Sequence, residues 1–138
     1  MDKNLLKNSW ILAGLLLVIN IILGLIILAV VEYFNIGSSG MSGIAGIIGA
    51  MIVGQIYAMN FKEIMPKKIR INVTVTYILA QMVLGSLYIF ILGVTNYLLF
   101  FGILIGLSLF YSLFIYWMLG SGGKGYLKAL QKRAATKK

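Results

Sequence analysis

An all-α, polytopic membrane protein is predicted by three observations. Of the 138 residues 61% are hydrophobic, with a mean hydropathy of +1.00. Four apolar runs each approach the roughly 20 residues that cross a hydrocarbon core of about 30 Å. The basic residues fall only in alternate connections, the pattern of a chain that retains its cations on one side of a bilayer. Together these predict four transmembrane helices in an antiparallel bundle, with N and C termini cytoplasmic.

The spans are expected at 10–31, 43–61, 72–92 and 97–119. The first opens with "WILAGLLLVINIILGLIILAV", longer than the apolar segment of a signal peptide and followed by no small-x-small cleavage site, so it is expected to stay as an anchor. Lys3 and Lys7 precede it; Lys62, Lys67, Lys68 and Arg70 lie between spans two and three; Lys124, Lys128, Lys132, Arg133, Lys137 and Lys138 follow span four, accounting for all 12 cations. The positive-inside rule puts these three regions in the cytoplasm. Trp10, Tyr57, Phe61, Tyr77, Tyr116 and Trp117 are expected at the inner interface, and Tyr33, Phe34 and Tyr97 at the outer one. Pro66, the only proline, is expected to help end the second helix. The short "GVTN" connection makes spans three and four a hairpin.

Beyond the 1–119 transmembrane domain, residues 120–138 read as a glycine hinge and a basic tail. Gly120, Gly122, Gly123 and Gly125 are expected to stop the helix. Tyr126, Leu127, Leu130 and Ala134 can then share one face of a short amphipathic helix, with Lys124, Lys128, Lys132 and Arg133 reaching anionic headgroups; a solvated basic tail is the alternative. Lys67, Lys68 and Arg70 are expected to meet the same headgroups.

The chain has no Cys and no His, which excludes thiolate nucleophiles, imidazole bases and metal or haem sites built on those ligands. Its only acids are Asp2, Glu32 and Glu63. Glu32 stands at the outer interface beside Tyr33 and Phe34. Ser38, Ser39 and Ser42 have no general base near them in sequence, so no catalytic residue, metal or cofactor is expected. A formal charge of +9 would suggest nucleic acid in a soluble chain, but topology explains it here.

The stretch "SSGMSGIAGIIGAMIVGQ" puts poor helix formers into a span. Without a hydrophobic force between helices in lipid, association relies on small residues that let backbones approach. Gly46, Ala50 and Gly54 recur every four residues, while Gly40, Gly43, Gly46 and Gly49 recur every three, so span two is expected to be the crowded central helix. Gly102 and Gly106 form a second small-residue surface on span four. These surfaces serve either packing within the bundle or recognition of a partner or second copy. Residues 37–43 are read as a helix start, with a re-entrant loop as the alternative. Asn20, Gln81 and Ser108 fall at similar depth near the span midpoints, with Gln55 about a turn nearer the cytoplasm. They are read as interhelical glue first and as a polar midplane path second.

The segment "NIGSSGMSGIAGIIGAMIVGQ", the basic loop with Pro66 and the ending "FYSLFIYWMLGSGGKGYLKAL" resemble a family of short four-span inner-membrane proteins of Acinetobacter and related bacteria, whose members have no assigned activity. That family usually carries an acid shortly after the proline, where this chain has Lys67, Lys68 and Arg70. The resemblance supplies no catalytic or binding residue. The expected function is non-enzymatic action through intramembrane helix contacts with a partner, such as immunity against a membrane-targeted toxin. The alternative is a small homodimeric transporter or flippase with a polar midplane cavity.

Overall fold

The structure is a computed structural model that describes residues 5–34, 42–91 and 97–136. A short 3-10 turn, Leu5–Lys7, leads into four helices: α1 (Ser9–Phe34), α2 (Ser42–Phe61), α3 (Lys67–Ile91) and α4 (Tyr97–Ala135). No strand occurs among the described residues. All four helices are long and apolar enough to cross a membrane. The 35–41 segment, with the re-entrant reading of 37–43, and the "GVTN" connection lie wholly or largely outside the described residues.

Local chemistry sets the helix ends. Asn8 caps α1, its side-chain oxygen accepting the Trp10 amide at 3.0 Å, which satisfies one orphan donor of the first turn. α2 ends where Lys62 turns left-handed (φ 58°) and donates its amide to the Ala58 carbonyl at 2.9 Å, an ending that needs no proline. Pro66 instead starts α3, its carbonyl accepting the Arg70 amide at 3.0 Å. Lys67, Lys68 and Arg70 therefore belong to the first turn of α3, not to a loop.

Around the bundle the helices neighbour one another in the order α1–α2–α4–α3. Successive helices run in opposite directions, but the most extensive contact joins α2 and α4, which run parallel: positions 46, 54 and 58 of α2 meet 111, 119 and 123 of α4 in rising order. The core lies toward the basic ends of the helices, where Leu6, Leu12, Leu16, Val53, Tyr57, Met65, Val73, Tyr77, Ile115 and Leu119 are all buried.

Two expectations are corrected here. Tyr57 and Tyr77 lie in the core, not at a lipid interface. Trp10 and Trp117 do face outward. And α4 runs unbroken through Gly120, Gly122, Gly123 and Gly125 to Ala135, so these glycines neither end the helix nor hinge it. The intrinsic helix cost of about 1 kcal/mol each is offset at Gly122 and Gly123 by the contact they permit with α2, while Gly120 makes room for Arg70 of α3. At 39 residues and 1.5 Å per residue, α4 is about 58 Å long, nearly twice the hydrocarbon thickness of about 30 Å. Its basic end therefore stands clear of the apolar slab.

Candidate functional site

Three features of the bundle bear on function: a glycine seam, a polar layer and an uncovered face of α4. In the seam a side chain is replaced by a neighbour's backbone. A Cβ at Gly54 would overlap the Leu119 carbonyl, and one at Gly122 would overlap the Met51 carbonyl. Gly123 lies against Gly54 and Ala58, the position of its Cβ falling 3.6 Å from that of Ala58. Gly49 admits Leu16 and Ile19 of α1 at 3.3 and 3.4 Å, and Ala50 is fully buried. Helix α2 thus carries small residues toward both neighbours and is the most buried of the four, crowded as expected; it is not central, since every helix of the ring has two neighbours. Gly43 lies in its first turn.

The polar layer forms where Gly46 opens α2. A Cβ there would overlap the Tyr111 hydroxyl and stand 3.0 Å from the Tyr77 hydroxyl. Gln81 donates to the Tyr77 hydroxyl at 3.2 Å, the Asn20 side chain bonds to the same hydroxyl, and Tyr111 bonds to the backbone at Gly46 and Ile47. All four helices therefore contribute to one hydrogen-bonded layer, and a polar group satisfied inside the bundle avoids the cost of facing acyl chains. Asn20 and Gln81 join it as expected, and Ser108 lies half-buried on the inward face of α4. Gln55 does not; it is exposed, so the layer does not extend along α2 toward the basic side. Tyr77 was not legible as a member because a tyrosine near a span end reads first as an interfacial residue, and Tyr111 carried no distinguishing signal in the sequence. The four-residue interval between Tyr77 and Gln81 was the available signal.

The uncovered face lies on the half of α4 away from the basic end. Neither Gly102 nor Gly106 has a neighbour within 4 Å of a Cβ built there. Leu99, Leu109 and Leu113, on the same face, are exposed. Inward from that stripe, a Cβ at Gly85 of α3 would stand 2.9 Å from Leu104. Among the described residues, nothing packs over Gly102 or Gly106. Gly14 and Gly24 of α1 are also open, but they are not one turn apart.

Charged residues rim the two ends. Glu32 is exposed beside the Tyr33–Phe34 edge-to-face pair. At the basic end Lys67, Lys68, Lys124, Lys128, Lys132 and Arg133 are exposed, while Arg70 is half-buried, its guanidinium 4.8 Å from the centre of the Tyr116 ring. The chain matches no family model, no curated protein and no solved structure.

Proposed function

We propose that the protein is a non-enzymatic, multi-pass protein of a bacterial inner membrane, both ends cytoplasmic, that acts by seating a helix of a membrane-protein partner on the uncovered face of α4. Immunity against a membrane-targeted toxin is the form of this activity we put forward. The observation that carries the reading is the pair Gly102 and Gly106, one turn apart with open space over both. In lipid, close backbone approach drives helix association. Gly46, Gly49 and Gly54 of α2 and Gly120, Gly122 and Gly123 of α4 already have neighbours inside the chain; this pair is open to receive one. The placement of all 12 cations beside alternate helix ends supports the orientation.

The polar layer favours partner binding over transport. Asn20 and Gln81 are bonded to Tyr77 and Gln55 faces outward, so the residues that were to line a midplane path are engaged with one another or turned away.

The test is Gly102→Leu combined with Gly106→Leu, expressed in cells challenged with a panel of membrane-depolarising protein toxins. Wild type is expected to preserve membrane potential against at least one of them, and the variant to lose that protection while inserting in equal amount. Equal protection by the variant, or no protection by wild type across the panel, would overturn the reading.

A further inference from the structure

At the basic end, α3 and α4 form a half-open cavity of about 110 Å³ lined by Arg70, Trp117, Gly120, Ser121 and Lys124. The four α4 residues fall at intervals of three, four and seven, which places them on one helix face. This volume far exceeds the roughly 15 Å³ of probe-occupied space that one water needs. Two cations face it, and its lining includes no carboxylate. Glu63, the acid nearest in sequence to Arg70, is engaged elsewhere, accepting a hydrogen bond from the Tyr57 hydroxyl at 3.3 Å.

Arg70 is held in place for a ligand. Its guanidinium stacks near the Tyr116 ring and presses on Gly120, where any Cβ would overlap its terminal nitrogen. The glycine therefore makes room for the charge. The Arg70 Nε is buried and has no hydrogen-bond partner. The ligand-facing part of the side chain is the guanidinium fork, whose donors match the oxygens of a phosphate. Ser121 adds a hydroxyl donor. Trp117 is 65% exposed and brings to the rim an amphipathic ring of the kind that settles at headgroup level.

We propose that this cavity binds the phosphate of one anionic phospholipid headgroup, with Arg70 and Lys124 as the charge partners, Ser121 as a further donor and Trp117 against the glycerol region. The site is a discrete one, distinct from diffuse attraction of the basic tail to the membrane surface, and it stands independently of the partner reading above. Free phosphate shares the recognised chemistry, but the cavity opens where α3 begins and α4 leaves its apolar run, at the level where phosphodiesters are concentrated.

The experiment is native mass spectrometry of the full chain in detergent, titrated with phosphatidylglycerol, with phosphatidylcholine, and with phosphatidylglycerol in the presence of millimolar inorganic phosphate. Wild type is expected to hold one phosphatidylglycerol in preference to phosphatidylcholine and to keep it against phosphate. Arg70→Gln and Lys124→Gln should each weaken that binding about tenfold, the scale of a lost charge-assisted hydrogen bond, and Lys7→Gln, which removes an exposed cation outside the cavity, should leave it unchanged. Lys124 is exposed, so its variant tests the site without endangering the fold. Gly120→Ala retains both charges and should weaken binding by displacing the guanidinium. Unchanged phosphatidylglycerol binding in the Arg70 and Lys124 variants, or an equal loss in Lys7→Gln, would overturn the site; displacement by inorganic phosphate would overturn the lipid as its ligand.

Discussion

The two halves of the bundle are built differently. Toward the basic side, α2 and α4 meet at backbone distance through Gly54, Gly122 and Gly123, and the core residues from Leu6 to Leu119 fill the space between helices. Toward the other side the helices present large exposed apolar side chains, among them Leu25 of α1, Phe90 and Ile91 of α3, and Leu107 and Leu109 of α4. In water such a surface would be a liability. In lipid it costs nothing, because acyl chains are as apolar as leucine. Hydrophobicity is similar in both halves, so it does not decide where the helices join; small residues facing a neighbour, and polar groups that must find one another, do.

The sharpest break of that comparison is Gly54→Ala. Its methyl group meets the Leu119 carbonyl, which a rotamer change cannot relieve, so a loss at the upper end of the overpacking range, about 3 kcal/mol, is expected. Gly122→Ala should behave alike, since it meets the Met51 carbonyl. Unfolding in detergent followed by tryptophan fluorescence measures both. A smaller effect is expected for Gly46→Ala, because the overlap there is with a side-chain hydroxyl, that of Tyr111. Its cost of about 1–2 kcal/mol should shrink when combined with Tyr111→Phe, and a double-mutant cycle showing no coupling would remove that contact from the account.

Next in size is Tyr77→Phe, which takes from Asn20 and Gln81 a shared partner and should cost on the order of 1 kcal/mol, the value typical of a polar contact between membrane helices. The smallest effect is expected on the open face. Gly102→Ala has no neighbour to displace, so stability should be unchanged or raised by up to about 1 kcal/mol through helix propensity. A marked loss of stability there would mean that the chain alone packs this face.

These contrasts mark how far the residues themselves disclose the molecule. The four helices were legible because apolar length is a direct demand of the bilayer, and the crowding of α2 followed from the spacing of Gly46, Ala50 and Gly54. Helix α4 was misjudged beyond Leu119 because "GSGG" carries the local chemistry of a helix stop, whereas its conformation is decided by tertiary contacts with Met51, Gly54 and Ala58. Asn20 and Gln81 could be paired by depth, but Gln55 could not be oriented from depth alone, since the neighbouring glycine gives no rotational reference. Arg70 read as one cation among several; its cavity exists only because α3 begins at Lys67 and passes Gly120 of an unbroken α4. Gly102 and Gly106 showed in sequence as a contact surface, without showing that the chain leaves it vacant.

The continuous seam between α2 and α4 underlies both the filled half and the cavity at its edge, and a pair of cysteines tests it in the membrane. The chain has no native cysteine, and the Cβ positions of residues 58 and 123 lie 3.6 Å apart, within the range of about 3.5–4.5 Å for a disulfide. Ala58→Cys with Gly123→Cys, oxidised in intact membranes, is expected to close an intramolecular disulfide in nearly every chain. Absence of that bond, with both thiols still open to a maleimide, would mean that α4 leaves the bundle at its glycines and would contradict the account.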